Sequence, residues 1–332
     1  MDAFISVVIP NYNGSKTIGK CLEAALSSKY NCFEVIVVDD ASSDNSAAII
    51  SAFPCRLIRL EKHAGASRAR NIGARESIGD VIFFIDADCL AAKDTLSLVH
   101  KAITGQKDIV IGGSYTPLPY DGNFFSVFQS IFINYFELKQ KEPDYIASHC
   151  MAIEKKIFEK SSGFPEQFLP IIEDVEFSHR LRRHGFKLCM DSDILVRHIF
   201  NFTFLKSLRN AFRKSRCWIM YSIGNRDVFK DSGTASQELK INVISYFLII
   251  LSLLFYFSLT NRIFLVLPLV IYSFNLYINR NLLRAFYRAK GIFFAVGASL
   301  YYTIIYPLAV GAGSFTGMMQ YCRNSHKDKN QG

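Results

Sequence analysis

The first 110 residues alternate short, continuously apolar runs with stretches whose apolar positions recur every three or four residues. The runs ISVVIP, FEVIVVDD, CRLIRLE and DVIFFIDAD are rich in β-branched and aromatic residues, so each predicts a buried strand. Between the first two, Ile18, Cys21, Leu22, Ala25 and Leu26 mark one face of a helix, and a second helix over about 67–77 separates the third run from the fourth. Strand alternating with helix predicts an α/β domain, a parallel sheet covered by helices. Ligands of such sheets collect beyond the carboxyl ends of the strands. Asp39, Asp40, Asp86 and Asp88 all stand at such ends.

The alternation stops near residue 115. Over about 122–139, Phe124, Phe128, Ile131, Tyr135 and Leu138 recur at helical spacing, and Phe125, Phe132 and Phe136 widen the stripe. A helix lying on a bilayer surface has this pattern, and so does a helix packed on the sheet. A second helix over about 203–221 sets Lys206, Arg209, Arg213 and Arg216 beside Leu205, Leu208, Phe212 and Ile219. Arg209, Arg213, Arg216 and Trp218 are its candidates for phosphate or lipid-headgroup contacts, against the alternative of a solvated helix face.

Residues 226–240 read as a linker, and after Lys240 the composition changes. Residues 241–261, 263–279 and 291–322 carry no charged side chain. The first and third runs are long enough to cross about 30 Å of hydrocarbon, while the second is short and holds Pro268. These lengths predict a transmembrane region of about three helices over 241–322 and a polar tail over 323–332. The basic, acid-free loop NRNLLRAFYRAK predicts that this loop and the N-terminal domain, residues 1–225, face the cytosol. The third run ends in YPLAVGAGSFTG, whose proline and glycines weaken a regular helix, and its crossing is left open.

Charge follows the same division. Of the net +9, residues 241–332 hold +7, as eight basic residues against Asp328 alone. That pattern argues against a nucleic-acid binder, whose basic excess should lie on a folded face. The eight cysteines form no C-x-x-C pair and no zinc-spaced cluster with histidine, which predicts reduced thiols. The opening MDAFISVVIP has an acid at position 2 and an apolar run too short for a signal core, so the fold is expected to begin with its first strand.

Two aspartates one residue apart at a strand end raise each other's pKa unless a cation neutralises them. Mg²⁺ or Mn²⁺ suits such a pair, because hard ions take oxygen ligands and complete their shell with substrate phosphates. In IIEDVEFSHRLRRHG, Glu173 and Asp174 fall at the start of a helix, where the positive dipole end keeps carboxylates ionised.

Taken together, VVIPNYNGSKTIGKCLEAAL, FEVIVVDDASSDNS, GASRARNIGARESIGDVIFFIDAD and GFPEQFLPIIEDVEFSHRLRRHGF resemble, in the family's order, the family 2 glycosyltransferases of GT-A fold over about residues 4–200. The resemblance implies a Rossmann-like nucleotide-sugar-binding domain. It implies that Pro10, Tyr12, Asp39 and Asp40 contact the base and ribose, that Arg70 and Asn71 sit near the nucleotide, and that Asp86 and Asp88 ligand the metal on the diphosphate. It also implies Asp174 as general base with Glu173 orienting the acceptor, and His198 as a further metal ligand. The expected function is inverting transfer from a nucleotide diphosphate sugar, UDP by family frequency, to a membrane lipid or polyprenyl-phosphate acceptor in envelope glycan or glycolipid synthesis. Two alternatives stand beside it: a processive polysaccharide synthase and a non-catalytic nucleotide-sugar binder. RKSRCW departs from the Q-x-x-R-W motif of processive synthases by an inserted residue, which favours transfer of one sugar.

Overall fold

The computed structural model describes residues 2–167 and 171–329, with side chains as far as 324. Of the expected tail, 330–332 lie outside the described residues. The chain divides into two compact units, Met1–Gly122 with Phe136–Asn201, and Asn123–Tyr135 with Phe202–Gly332.

In chain order the first unit contains β1 (Ile5–Asn11), α1 (Ile18–Leu26), β2 (Phe33–Asp39), α2 (Ser46–Ile50), β3 (Arg56–Arg59), α3 (Ala66–Glu76), β4 (Val81–Ile85), β5 (Cys89–Ala91), α4 (Thr95–Ile103) and β6 (Ile109–Tyr115). Helix α5 (Phe124–Glu137) begins in the second unit and ends in the first, which then continues with β7 (Cys150–Glu154), α6 (Lys155–Lys160), α7 (Glu173–Arg183) and β8 (Lys187–His198). The eight strands form one sheet in the order β3-β2-β1-β4-β7-β6-β8-β5. The half from β3 to β4 is parallel, as the alternation predicts. Beyond it β7 runs antiparallel to both β4 and β6, and β5 runs antiparallel to β8. This is a mixed, Rossmann-like sheet, as the resemblance implies.

Two packing features fix the positions of the functional residues. Helix α3 lies close on β1 and β2, because a Cβ on Gly73 would overlap Val8 and press on Val38. Phe84 of β4 meets Phe158 and Phe164 at centroid separations of 5.4 and 5.2 Å, and Phe164 meets Phe177 of α7 at 4.6 Å. Burying each ring contributes about 1.5–3 kcal/mol. The cluster therefore holds the start of α7 beside the end of β4, although 87 to 88 residues separate Asp86 from Glu173 and Asp174 along the chain.

The second unit adds α8 (Phe204–Asn225), α9 (Gln237–Leu259), α10 (Ile263–Ile278), α11 (Arg280–Leu300), a π turn (Tyr301–Ile305) and α12 (Tyr306–Lys329). Helix α8 is capped by Thr203, whose side chain accepts from the Lys206 N–H. A left-handed Thr260 ends α9, and Gly291, at φ +77°, kinks α11. Two helical stretches, Gln237–Leu259 and Arg280–Asn324, are long and apolar enough to cross a membrane, and α10 is a shorter apolar helix. Asn242 donates to the Tyr302 carbonyl, Asn275 donates to Asn242, and Tyr302 donates to Asn279 at 2.8 to 3.0 Å. These bonds satisfy polar groups that are costly in an apolar setting and tie α9, α10 and the π turn together.

Helix α5 covers the stretch read either as a surface-lying helix or as one packed on the sheet. Helix α5 has no broad exposed face, since Val127 through Ile133 are all buried. Phe128 packs against Phe286, Tyr301 and Tyr306, and Phe132 against Tyr302 and Tyr306. Its aromatic stripe meets aromatic rings of the same unit.

Candidate active site

At the carboxyl ends of β1 and β2, two neighbouring aspartates have different tasks. Asp39 is fully buried, and its carboxylate accepts from Asn11 Nδ2 at 2.7 Å and Ser42 Oγ at 2.6 Å. Asp40 accepts from the Ala64 and Gly65 N–H groups at 2.7 and 2.8 Å, and His63 Nδ1 lies 2.9 Å from it. Gly65, at φ +93°, gives the backbone the turn that starts α3 and presents both N–H groups to one carboxylate. Above this frame Tyr12, half exposed, stacks on His63 with centroids 4.0 Å apart. Pro10 is partly buried within β1, opposite Val38.

Arg70 projects from α3 into the centre of the site and is 4 % exposed. It donates to Asp86 at 2.7 Å and to Glu173 at 3.2 Å. The fork shape of guanidinium suits a bridge between two carboxylates. Burial would raise the Asp86 pKa, but the adjacent Arg70 outweighs it and holds that carboxyl below its ordinary range. Asp174, the next residue after Glu173, accepts from the Ser148 N–H at 3.2 Å and the Val175 N–H at 2.9 Å. Burial, then the neighbouring Glu173 charge, push its carboxyl up to about 7, against the pull of Arg70. Both acids belong to the first turn of α7.

Asn71, expected near a nucleotide, has its side chain engaged by protein. It follows Arg70 on α3, and one helical step turns its side chain away from that of Arg70. Its Oδ1 accepts from the Phe164 N–H at 2.8 Å, while its Nδ2 donates to the Phe164 carbonyl at 2.8 Å and to Glu166 at 3.0 Å. The amide is thus committed to the loop before α7. Asn71→Ala leaves two buried backbone groups unpaired and is expected to lower stability by about 2–3 kcal/mol. Thermal unfolding measures that loss, and nucleotide affinity should fall by less than about threefold, since the side chain latches a loop instead of touching the ligand.

Antiparallel pairing of β5 with β8 sets Cys89 opposite His198. This brings His198 Nε2 to 3.4 Å from Asp88 Oδ1, and Asp88, Cys89 and His198 present ligand atoms within 4.8 Å of one another. Two ligands of one octahedral ion with bonds of roughly 2.1 Å lie about 3 Å apart, so the Asp88–His198 spacing fits a hard divalent ion. Burial pushes the Asp88 carboxyl up to about 7, and the Asp86 charge adds to it. Cys89 is an unsuitable ligand for such an ion, because burial raises its thiol well above the ordinary range and keeps it protonated. Asp86 stands outside this three-residue cluster, paired through Oδ1 with Arg70.

Several neighbours had no visible signal in the sequence. His149 is buried, stacks on Tyr115 at 3.9 Å and lies 3.4 Å from Glu137, which also accepts from Ser114. Burial opposes its protonation, but the Glu137 charge raises its pKa. Asn11 and His63 complete the Asp39 and Asp40 frames. Asn11 could have been found from its place at the end of the first strand, whereas His149 and Glu137 meet only through tertiary structure. Arg209, Arg213, Arg216 and Trp218 belong to α8 of the second unit, where Arg209 and Arg213 are exposed and Arg216 and Trp218 half-buried.

Residues 6–161 match the family model described as Glycosyl transferase family 2. The glycosyltransferase GlyG of Streptococcus pneumoniae is 34% identical over 131 residues, 38% of this chain and 44% of the relative. The glycosyltransferase AglE of Haloferax volcanii is 27% identical over 239 residues, 68% of this chain and 78% of the relative. The chain thus spans less than half of the pneumococcal relative's length. Among solved structures, the mannosyltransferase PcManGT from Pyrobaculum calidifontis, in complex with GDP-Man and Mn²⁺, aligns over 96% of this chain and 88% of its own, with TM-score 0.59 and 16% identity. S. aureus TarS 1-349 with UDP-GlcNAc aligns over 98% and 92%, with TM-score 0.51 and 19% identity. At these identities the structural likeness shows the shared fold.

Proposed function

Through residues 6–161 the chain belongs to glycosyl transferase family 2, and on that premise we propose that it is a metal-dependent, inverting, membrane-anchored enzyme moving one sugar from a nucleotide diphosphate sugar to a lipid or polyprenyl-phosphate acceptor. The observation that carries the reading is the Arg70 bridge, which joins Asp86 at the end of β4 to Glu173 at the start of α7. It links a donor-side carboxylate to an acceptor-side pair in one electrostatic unit.

On the donor side, the base stacks on Tyr12 beside Pro10, while the Asp39 and Asp40 frames offer hydrogen-bonding groups to base and ribose. A Mg²⁺ or Mn²⁺ ion held by Asp88 and His198, beside Asp86, would stabilise the charge that develops on the departing diphosphate. On the acceptor side, Asp174 takes the proton of the attacking hydroxyl as its oxygen bonds to the anomeric carbon. The bond from that carbon to the diphosphate oxygen breaks on the opposite face, and its electron pair leaves with the nucleotide. A single displacement with one base inverts the anomeric centre. Glu173, held by Arg70, orients the acceptor. The apolar hairpin α9–α10 anchors the enzyme, with the N-terminal unit in the cytosol.

A pH prediction follows from Asp174. A general base works only when ionised, and a carboxyl raised to about 7 is protonated below that value. With saturating divalent ion, kcat/KM is expected to rise about tenfold per pH unit below pH 7 and to level off above it. A rate already flat from roughly pH 5 upward would show that the base is an ordinary carboxylate or another group.

The direct test of the proposal is turnover of a panel of nucleotide sugars, with Mn²⁺ or Mg²⁺ and a membrane extract as acceptor source. A lipid-extractable product carrying one added sugar, of inverted configuration, is expected. Long polymers would make the enzyme processive, and tight donor binding without transfer or hydrolysis of any donor would make it a binding protein.

A further inference from the structure

The third apolar run, residues 291–322, is long enough to cross a bilayer, but its second half has a partner that cannot. Helices α8 and α12 lie side by side in the second unit. Tyr301, just before α12, donates to Ser207 of α8 at 2.8 Å. Farther along, a Cβ on Gly313 would overlap the Phe212 carbonyl and Ser215, and one on Gly317 would overlap the Arg216 carbonyl and Ile219. Near the end, Gly224 faces Tyr321. The contacts advance in the same direction on both helices, so the pair is parallel and its two glycines, four residues apart, admit backbone against backbone.

Helix α8 carries Lys206, Arg209, Arg213, Lys214 and Arg216 with no acidic residue. A helix with five cations does not settle across hydrocarbon, and a helix locked to it along its length shares its placement. α12 nevertheless shows an apolar face. Leu308, Phe315 and Met319 are exposed at helical spacing, continuing from Ile304 in the π turn, with Met318 beside them. The hairpin helix α9 differs: Ile244, Leu248, Leu251, Leu253, Leu254 and Phe257 leave exposed apolar side chains around it. One stretch looks like a helix surrounded by lipid, the other like a helix with one wet or charged flank.

We infer that the α8–α12 pair lies in the plane of the membrane as an interfacial platform, with the apolar stripe of α12 at the acyl boundary and the exposed cations of α8 on anionic phospholipid headgroups. The third apolar run then does not cross, and its end stays on the same side as the end of α8. Charge complementarity selects the partner, because a one-sided apolar stripe clamped to an acid-free cationic helix fits an anionic bilayer surface.

The wild-type chain contains the probes for a test. Trp218, on α8, is the sole tryptophan, and Cys322, near the end of α12, is exposed. With the full-length protein in phosphatidylglycerol-containing vesicles, a phospholipid brominated near its headgroup is expected to quench Trp218 more than one brominated near the bilayer centre. Replacing the anionic lipid by phosphatidylcholine, or introducing Arg209→Glu with Arg213→Glu, is expected to reduce the shallow quenching. With Cys32, Cys55 and Cys189 changed to serine, an impermeant maleimide is expected to label Cys322 and an Arg226→Cys variant from the same side. Stronger deep quenching, no quenching from either depth, indifference to lipid charge, or labelling of the two cysteines from opposite sides would each overturn the inference.

Discussion

Asp174→Asn is expected to lower kcat by about 10²–10⁴ while leaving nucleoside diphosphate affinity within about threefold of wild type. The substitution preserves shape and keeps one acceptor oxygen, so one of the two bonds from the Ser148 and Val175 N–H groups survives and the other is lost. What disappears is the capacity to take a proton. Because the carboxyl lies at about 7 in the folded protein, replacing it with a neutral amide also removes a buried charge that Glu173 repels at higher pH. The relieved repulsion offsets the lost hydrogen bond, so the variant should still fold. Lost activity then reports chemistry, and retained activity within about tenfold would remove Asp174 from the mechanism.

Arg70→Met is expected to damage both stability and turnover. The guanidinium is buried and holds Asp86 and Glu173 on its two arms, so its removal leaves two carboxylates facing each other with no shared cation. Breaking a buried ion pair by removing one partner costs about 3–5 kcal/mol. The pH dependence has a definite sign. The folded-state pKa of Asp86 is depressed, so its pairing contributes stability above the ordinary carboxylate pKa and loses it as pH falls through the folded value. The deficit of Arg70→Met should thus be greatest near neutral pH and narrow in acid. Arg70→Lys keeps one charge but not the fork, and should recover only part of the stability. Equilibrium denaturation at neutral and acid pH measures both statements, and a deficit independent of pH would contradict the bridge.

The acidic edge of the sheet was largely legible in the sequence, for a physical reason. An aspartate at the end of a continuously apolar run needs polar partners, so Asp39, Asp40, Asp86 and Asp88 announce the edge of a sheet and polar groups beyond it. Glu173 and Asp174 were legible as a helix start for a related reason, since carboxylates favour the positive end of the dipole. What joined the two sets was not legible. Arg70 reaches Glu173 across 103 positions of chain, and no local periodicity encodes that meeting. His198 meets Asp88 only because β5 pairs antiparallel with β8, outside the parallel pattern of the first 110 residues. The bonds of Asn71 to Phe164 were not legible either, because adjacent helical residues point in different directions and a motif spanning Arg70 and Asn71 does not separate them. The aromatic stripe of α5 was ambiguous by nature, because lipid and protein demand the same apolar face.

The claim on which the whole reading depends is that the acidic end of β4, with His198, holds a divalent ion against the donor's diphosphate. It is tested most directly by calorimetric titration of a nucleoside diphosphate into wild type and Asp88→Asn, each with Mn²⁺ and with chelator. Asp88 is repelled by Asp86, so its neutral replacement should leave the fold intact. Wild type is expected to bind only with the ion present, and Asp88→Asn to bind at least about tenfold more weakly under the same conditions. Equal affinity of wild type in Mn²⁺ and in chelator, or of Asp88→Asn and wild type in Mn²⁺, would contradict it.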